Sequence, residues 1–76
     1  MMEEIYIAGS TGLTYTHGDY INIVRMYKSG MSIAGIGREY VKEHKGLNLG
    51  FARIIVENAV MRYLERLRYW TKERQA

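Results

Sequence analysis

The sequence predicts a small, mainly α-helical domain in which an N-terminal β-hairpin is followed by three helices, the last of them long and basic. Three observations lead there. The 76 residues are 47% apolar and 25% charged, ordinary usage for a folded chain of about half a typical domain's length. Turn chemistry with β-branched and aromatic residues crowds the first sixteen positions. Beyond them, apolar residues recur at steps of three and four between glycines, and proline is absent. One small domain is expected over 1–76, divided into a hairpin (1–18), a helix pair (19–46) and a long basic helix (47–74).

In the hairpin, Ile5 and Ile7 alternate with Tyr6 and Ala8, Gly9-Ser10-Thr11-Gly12 supplies the turn, and Leu13-Thr14-Tyr15-Thr16 returns. A two-stranded hairpin is barely stable alone and must lie on the helices or on another chain. Gly18-Asp19 offers an N-cap for a helix from Tyr20 to Ser29, whose Tyr20, Ile23, Val24 and Tyr27 share one face, and Gly30 stops it. Ser32 caps the second helix, where Ile33, Ile36, Tyr40 and Val41 form a stripe running to about Lys45, with Gly46 as the stop. Gly35 and Gly37 lie inside this helix at a cost of about 1 kcal/mol each relative to alanine. Such a cost predicts that one of them marks a close approach of another helix.

Asn48 is placed as the N-cap of the third helix, which continues past Trp70. Leu49, Ala52, Val56, Val60, Tyr63, Leu67 and Trp70 form a narrow apolar seam, with Arg53, Glu57, Arg62, Glu65, Arg66, Arg68 and Lys72 on the other side. A helix of this length overhangs a ten-residue neighbour. Either the hairpin covers the overhang or a second copy does, and the heptad-like spacing predicts a homodimer through Val56, Val60, Tyr63, Leu67 and Trp70. The competing reading is a core stripe in a three-helix monomer.

The net charge of +3 is unevenly placed. Through Arg38, three basic residues face three acidic ones, whereas from Glu39 onward there are eight basic and five acidic. A basic C-terminal half suggests an anionic partner, nucleic acid first. Catalytic chemistry is thin. Cysteine is absent, and His17 and His44 stand 27 positions apart without ligand spacing, so a non-enzymatic protein with no metal and no cofactor is expected. His44 reads as a helix C-terminal cap and His17 as part of a turn. No run approaches the roughly 20 apolar residues of a membrane span, and the start carries Glu3 and Glu4 instead of basic residues. A soluble, cytoplasmic protein is expected. Seven tyrosines, one tryptophan and one phenylalanine are many for this length, and Tyr15, Tyr63, Tyr69 and Trp70 are the rings expected to reach a surface.

Residues 22–40, Asn-Ile-Val-Arg-Met-Tyr-Lys-Ser-Gly-Met-Ser-Ile-Ala-Gly-Ile-Gly-Arg-Glu-Tyr, resemble the first two helices of helix-turn-helix domains of resolvase, invertase and transposase type. The resemblance implies that Gly30-Met31-Ser32 is the inter-helix turn and that Ile33, Ile36 and Tyr40 are core positions. It also makes Gly37 the small residue that admits the next helix. Val41 to Lys45 lengthen the second helix beyond that pattern, and the third helix opens on Leu49, Gly50, Phe51 and Ala52 instead of on polar base readers. A ribbon-helix-helix reading stands beside it, with Leu13 to Thr16 pairing to a second chain and Thr14 and Thr16 facing the groove.

The leading expectation is therefore a small DNA-binding regulator of phage or mobile-element kind, acting on double-stranded DNA. Arg38, Lys42, Lys45, Asn48 and Arg53 would line the groove side, and Arg62, Arg66 and Arg68 would contact phosphates. The alternative is a protein-interaction module, an inhibitor or adaptor docking a host protein through an aromatic face.

Overall fold

The computed structural model describes residues 3–75. Strands β1 (Ile5–Ala8) and β2 (Leu13–Thr16) form an antiparallel hairpin, followed by helices α1 (His17–Lys28), α2 (Ile33–Glu43) and α3 (Leu49–Gln75). In the ladder Tyr6 faces Tyr15 and Ala8 faces Leu13. The turn closes through positive φ at Gly9 and Gly12 and a 2.7 Å hydrogen bond from the Thr11 hydroxyl to the Ala8 carbonyl. Tyr6, Ala8 and Tyr15 are buried against the helices, whereas Ile5, Ile7 and Thr14 face outward. The ladder to β1 occupies one edge of β2, so on that edge the strand is paired within its own chain.

Helix α1 begins three residues earlier than expected, at His17. Thr16 is the N-cap: its hydroxyl accepts from the Asp19 N–H at 3.1 Å, while the Asp19 carboxylate accepts from the Thr16 N–H at 3.2 Å. This reciprocal pair is a capping box, and it makes Asp19 a helical residue instead of the cap. Ser29 ends α1, and the N–H groups of Gly30 and Met31 return to the carbonyls of Tyr27 and Met26 at 3.1 and 3.2 Å. Gly30 takes the positive φ that this Schellman closure requires.

Ser32 caps α2 as expected, accepting from the Gly35 N–H at 3.1 Å. The helix stops at Glu43, short of Lys45, with His44 at its C-cap. Asn48 caps α3 through a 2.7 Å bond accepted from the Gly50 N–H. At 1.5 Å per residue, α3 is roughly 40 Å long, close to the 46 Å longest dimension of the molecule.

Three helices and the hairpin enclose one core, in which Ile23, Ile36 and Val56 are fully buried. The buried face of α3 is wider than the sequence seam. It consists of Ala52, Ile55, Val56, Ala59 and Val60, while Leu49 at one end and Leu67 and Trp70 at the other are exposed. Gly37 is buried where α2 meets α3, and a Cβ there would lie 3.9 Å from the Arg53 Cα. It is the close-approach glycine that the sequence predicts. Gly35 is not, since its neighbours are Ser32 and Met31 of its own turn. Among the described residues no helix is long and apolar enough to cross a membrane.

Candidate nucleic-acid interface

The residues selected from the sequence fall into two groups at different levels of α3, with Arg68 apart from both. Arg38 and Lys42 are one turn apart on the exposed side of α2, Lys45 is exposed in the connection to α3, and Asn48 and Arg53 follow at the start of α3. Arg38 and Arg53 flank a groove of about 220 Å³ lined by Ala34, Gly37, Leu49 and Gly50. Two of these cations have acidic neighbours. Lys42 pairs with Glu39 at 3.2 Å and Arg53 with Glu57 at 3.1 Å. Exposed pairs of this kind are worth at most about 1 kcal/mol and yield readily to a polyanion.

Arg62 and Arg66 lie on the aromatic face of the hairpin. The Arg62 guanidinium sits 4.4 Å from the centre of the Tyr6 ring, and that of Arg66 lies 5.1 Å from the Tyr20 ring and 5.8 Å from Tyr6. Arg62 Nε donates to the Tyr15 hydroxyl at 3.3 Å, and Arg66 donates to the Tyr6 hydroxyl at 3.4 Å. Tyr15, expected at the surface, is 2% exposed. Its hydroxyl donates to Asn58 Oδ1 at 2.6 Å, so this ring serves packing and not contact with a ligand. The Tyr6 hydroxyl also meets Glu4 at 3.2 Å and His17 Nδ1 at 2.9 Å. His17 is therefore the first residue of α1 with a tyrosine partner, not a turn residue.

Arg68 lies beside Met61, Leu64 and Glu65 on a different side of α3. The expected phosphate row of Arg62, Arg66 and Arg68 is thus split, because residues two apart on a helix are about 200° apart around its axis. The dimer seam is likewise divided. Val56 is 0% and Val60 5% exposed inside the chain's own core, so neither has surface left for a second copy. Tyr63 is half-buried against Tyr27, with ring centres 6.4 Å apart. Leu67 and Trp70 alone of that set are exposed.

A second feature was not visible in the sequence. The C-terminal half of α3 overhangs the core, and two adjoining hollows between it and α1 form a trough. One stretch, of about 380 Å³, is lined by Tyr20, Ile21, Val24, Arg25, Lys28 and Tyr63. The next, of about 340 Å³, shares Tyr20 and Tyr63 and adds Arg66, Leu67 and Trp70. A third hollow, of about 600 Å³, lies on α3 itself between Arg62, Glu65, Arg66, Tyr69 and Trp70 and meets the trough at Arg66 and Trp70. Arg25 and Lys28, three apart in the last turn of α1, carried a spacing signal. Only the packing of α1 on α3 puts them in one hollow with Tyr63.

A polar cluster ties α1 to α2 on the far side. The Tyr40 hydroxyl donates to Asp19 at 3.1 Å, and His44 stacks on the Tyr40 ring at 4.0 Å with Nε2 3.4 Å from Asp19. Burial, and then the negative charge of Asp19, push the Tyr40 phenol well above its ordinary range. His44 is thus the helix cap expected of it, half-buried instead of solvated. No group of three or more His, Asp or Glu side chains that could hold a metal ion occurs among the described residues. Comparisons of the chain with protein-family models, curated proteins and solved structures find no match.

Proposed function

We propose that this chain is a small non-enzymatic DNA-binding protein that meets duplex DNA with α2, the α2–α3 connection and the first turns of α3. The observation that carries the reading is the gathering of Arg38, Lys42, Lys45, Asn48 and Arg53, all exposed, on that one stretch of the fold. A helix start bearing an amide and a guanidinium can present hydrogen-bonding groups to base edges, while the lysines and Arg38 neutralise phosphates. Leu49 and Phe51, exposed between them, offer apolar contact to thymine methyl groups.

A titration of labelled duplex at low and physiological salt tests this. Each phosphate neutralised contributes about −0.9 to the slope of log affinity against log salt, so four cations give a slope between about −3 and −4. Arg38→Gln or Lys45→Gln should weaken all duplexes alike, whereas Asn48→Ala should act more strongly on a preferred site than on random DNA. Absence of duplex binding even at low salt refutes the proposal and favours a protein-docking role.

A further inference from the structure

We propose that the trough between α1 and the overhanging half of α3 binds single-stranded nucleic acid, at a site separate from the α2–α3 face and independent of the duplex reading. Two properties of the trough select this ligand. First, its charged lining consists of Arg25, Lys28, Arg62 and Arg66 against Glu65 alone. No described acidic side chain is within ion-pair distance of any of the four cations. Secondly, aromatic faces lie among these charges: Tyr63 is half-buried in the trough, and Tyr69 and Trp70 stand 68% and 56% exposed at its open end.

The ligand must therefore be anionic and must offer flat apolar faces at close intervals. An acidic peptide has the charge but few planar groups. A duplex has the charge but keeps its bases stacked on one another. A single strand offers both along its length, and alternation of cations with stacking rings is the general chemistry of such sites.

The cations are also held in place. Arg62 and Arg66 sit over the Tyr6 and Tyr20 rings, 4.4 and 5.1 Å from their centres, which limits their rotamers. Rings and cations share one surface because Arg62, Tyr63, Arg66 and Trp70 are spaced by one, three and four residues on α3. From Arg62 to Trp70 the helix rises about 12 Å, enough for successive nucleotides to meet a cation and a ring in turn.

Trp70 is the sole tryptophan of the chain, so its fluorescence reports on the trough directly. An oligothymidylate of about ten nucleotides, within the range that single-strand sites cover, should quench it. With four cations and about −0.7 per phosphate on single strands, raising salt threefold should weaken binding about twentyfold. Arg25→Gln combined with Lys28→Gln should flatten the salt slope by about 1.4, and Tyr69→Ala should cost at least about fivefold. Arg53→Gln, on the other face, should leave the quench unchanged.

Arg25 and Lys28 are exposed at a helix end, so circular dichroism is expected to show the double variant folded. If it does not, the unmodified protein still decides between ligands. Equal quenching by a polyglutamate peptide or by duplex DNA overturns the proposal, as does no quenching at low salt. Emission that follows protein concentration and ignores oligonucleotide assigns the trough to a second copy and overturns it too.

Discussion

Gly37 allows the packing of α2 on α3 to be tested with the size of one side chain. A Cβ added there would lie 3.9 Å from the Arg53 Cα, 4.0 Å from the Arg53 nitrogen and 4.0 Å from Leu49 Cδ1, which is ordinary van der Waals contact. Alanine therefore fits without displacement and recovers the roughly 1 kcal/mol that glycine costs in a helix interior. For a chain of this length that gain corresponds to a rise of about 4–8 °C in melting temperature. Leucine recovers nearly the same propensity, but its three further carbons must branch at the groove wall between the Arg53 backbone and Leu49, where the first added atom is already in van der Waals contact. Leu49 is half-exposed and can swing aside, but the Arg53 backbone, inside α3, cannot. Overpacking of this kind costs about 1–3 kcal/mol. The leucine variant should therefore melt at least about 4 °C below the alanine variant. Thermal unfolding followed by circular dichroism measures both. A Gly37→Leu protein melting above Gly37→Ala would show that the helices do not meet there, and an alanine variant less stable than the parent would mean an approach closer than 3.9 Å.

Two other predictions concern the core. Val56→Ala removes two buried carbons, a loss of roughly 2 kcal/mol with its cavity. The loss should be independent of protein concentration, while Leu67→Ala on the exposed overhang should change stability by less than about 1 kcal/mol. If raising concentration restores the Val56→Ala protein, Val56 belongs to a dimer seam after all. Because the folded chain holds the Tyr40 proton to higher pH than the unfolded chain, whose phenol ionises near 10, the unfolded state loses its proton first. The stability associated with this group is present below about pH 10 and falls as pH rises beyond it. Denaturant unfolding at about pH 9 and pH 11 should show that fall in the parent and a shallower one in Tyr40→Phe; parallel falls would refute the assignment.

Much of the fold was legible because local chemistry and tertiary demand agree. Glycines at positions 9, 12, 30 and 46 take positive φ where the turns were expected, and Ser32 and Asn48 cap the helices they precede. The start of α1 was misplaced because Gly18 drew the boundary away from Thr16 and Asp19, whose spacing of three is itself a capping-box signature. The apolar seam of α3 is divided between core and surface for a different reason. A heptad-like stripe records only that a face is apolar, and a hairpin with two neighbouring helices covers Val56 and Val60 as well as a second copy would. The trough lay beyond sequence reasoning, since Arg25 and Arg66 are 41 positions apart and nothing local relates them.

The hairpin connects these results. Its inward tyrosines carry hydroxyls that Asn58, Arg62 and Arg66 engage, and the Tyr6 ring receives two guanidinium groups. Tyrosine hydrogen bonds of about 1 kcal/mol each and cation–π contacts of about 0.5–2 kcal/mol together fix the rotation of α3 about its own axis. Once Arg62 and Arg66 lie against the hairpin, helical spacing places Tyr63, Leu67 and Trp70 on the side of α1 and sends Arg68 to another side. The contacts that keep a marginal two-stranded sheet in place thus also determine which surface the overhanging helix presents. Loss of the hairpin would free Arg62 and remove one of the two rings beside Arg66, whereas the α2–α3 face rests on Gly37 and its neighbours.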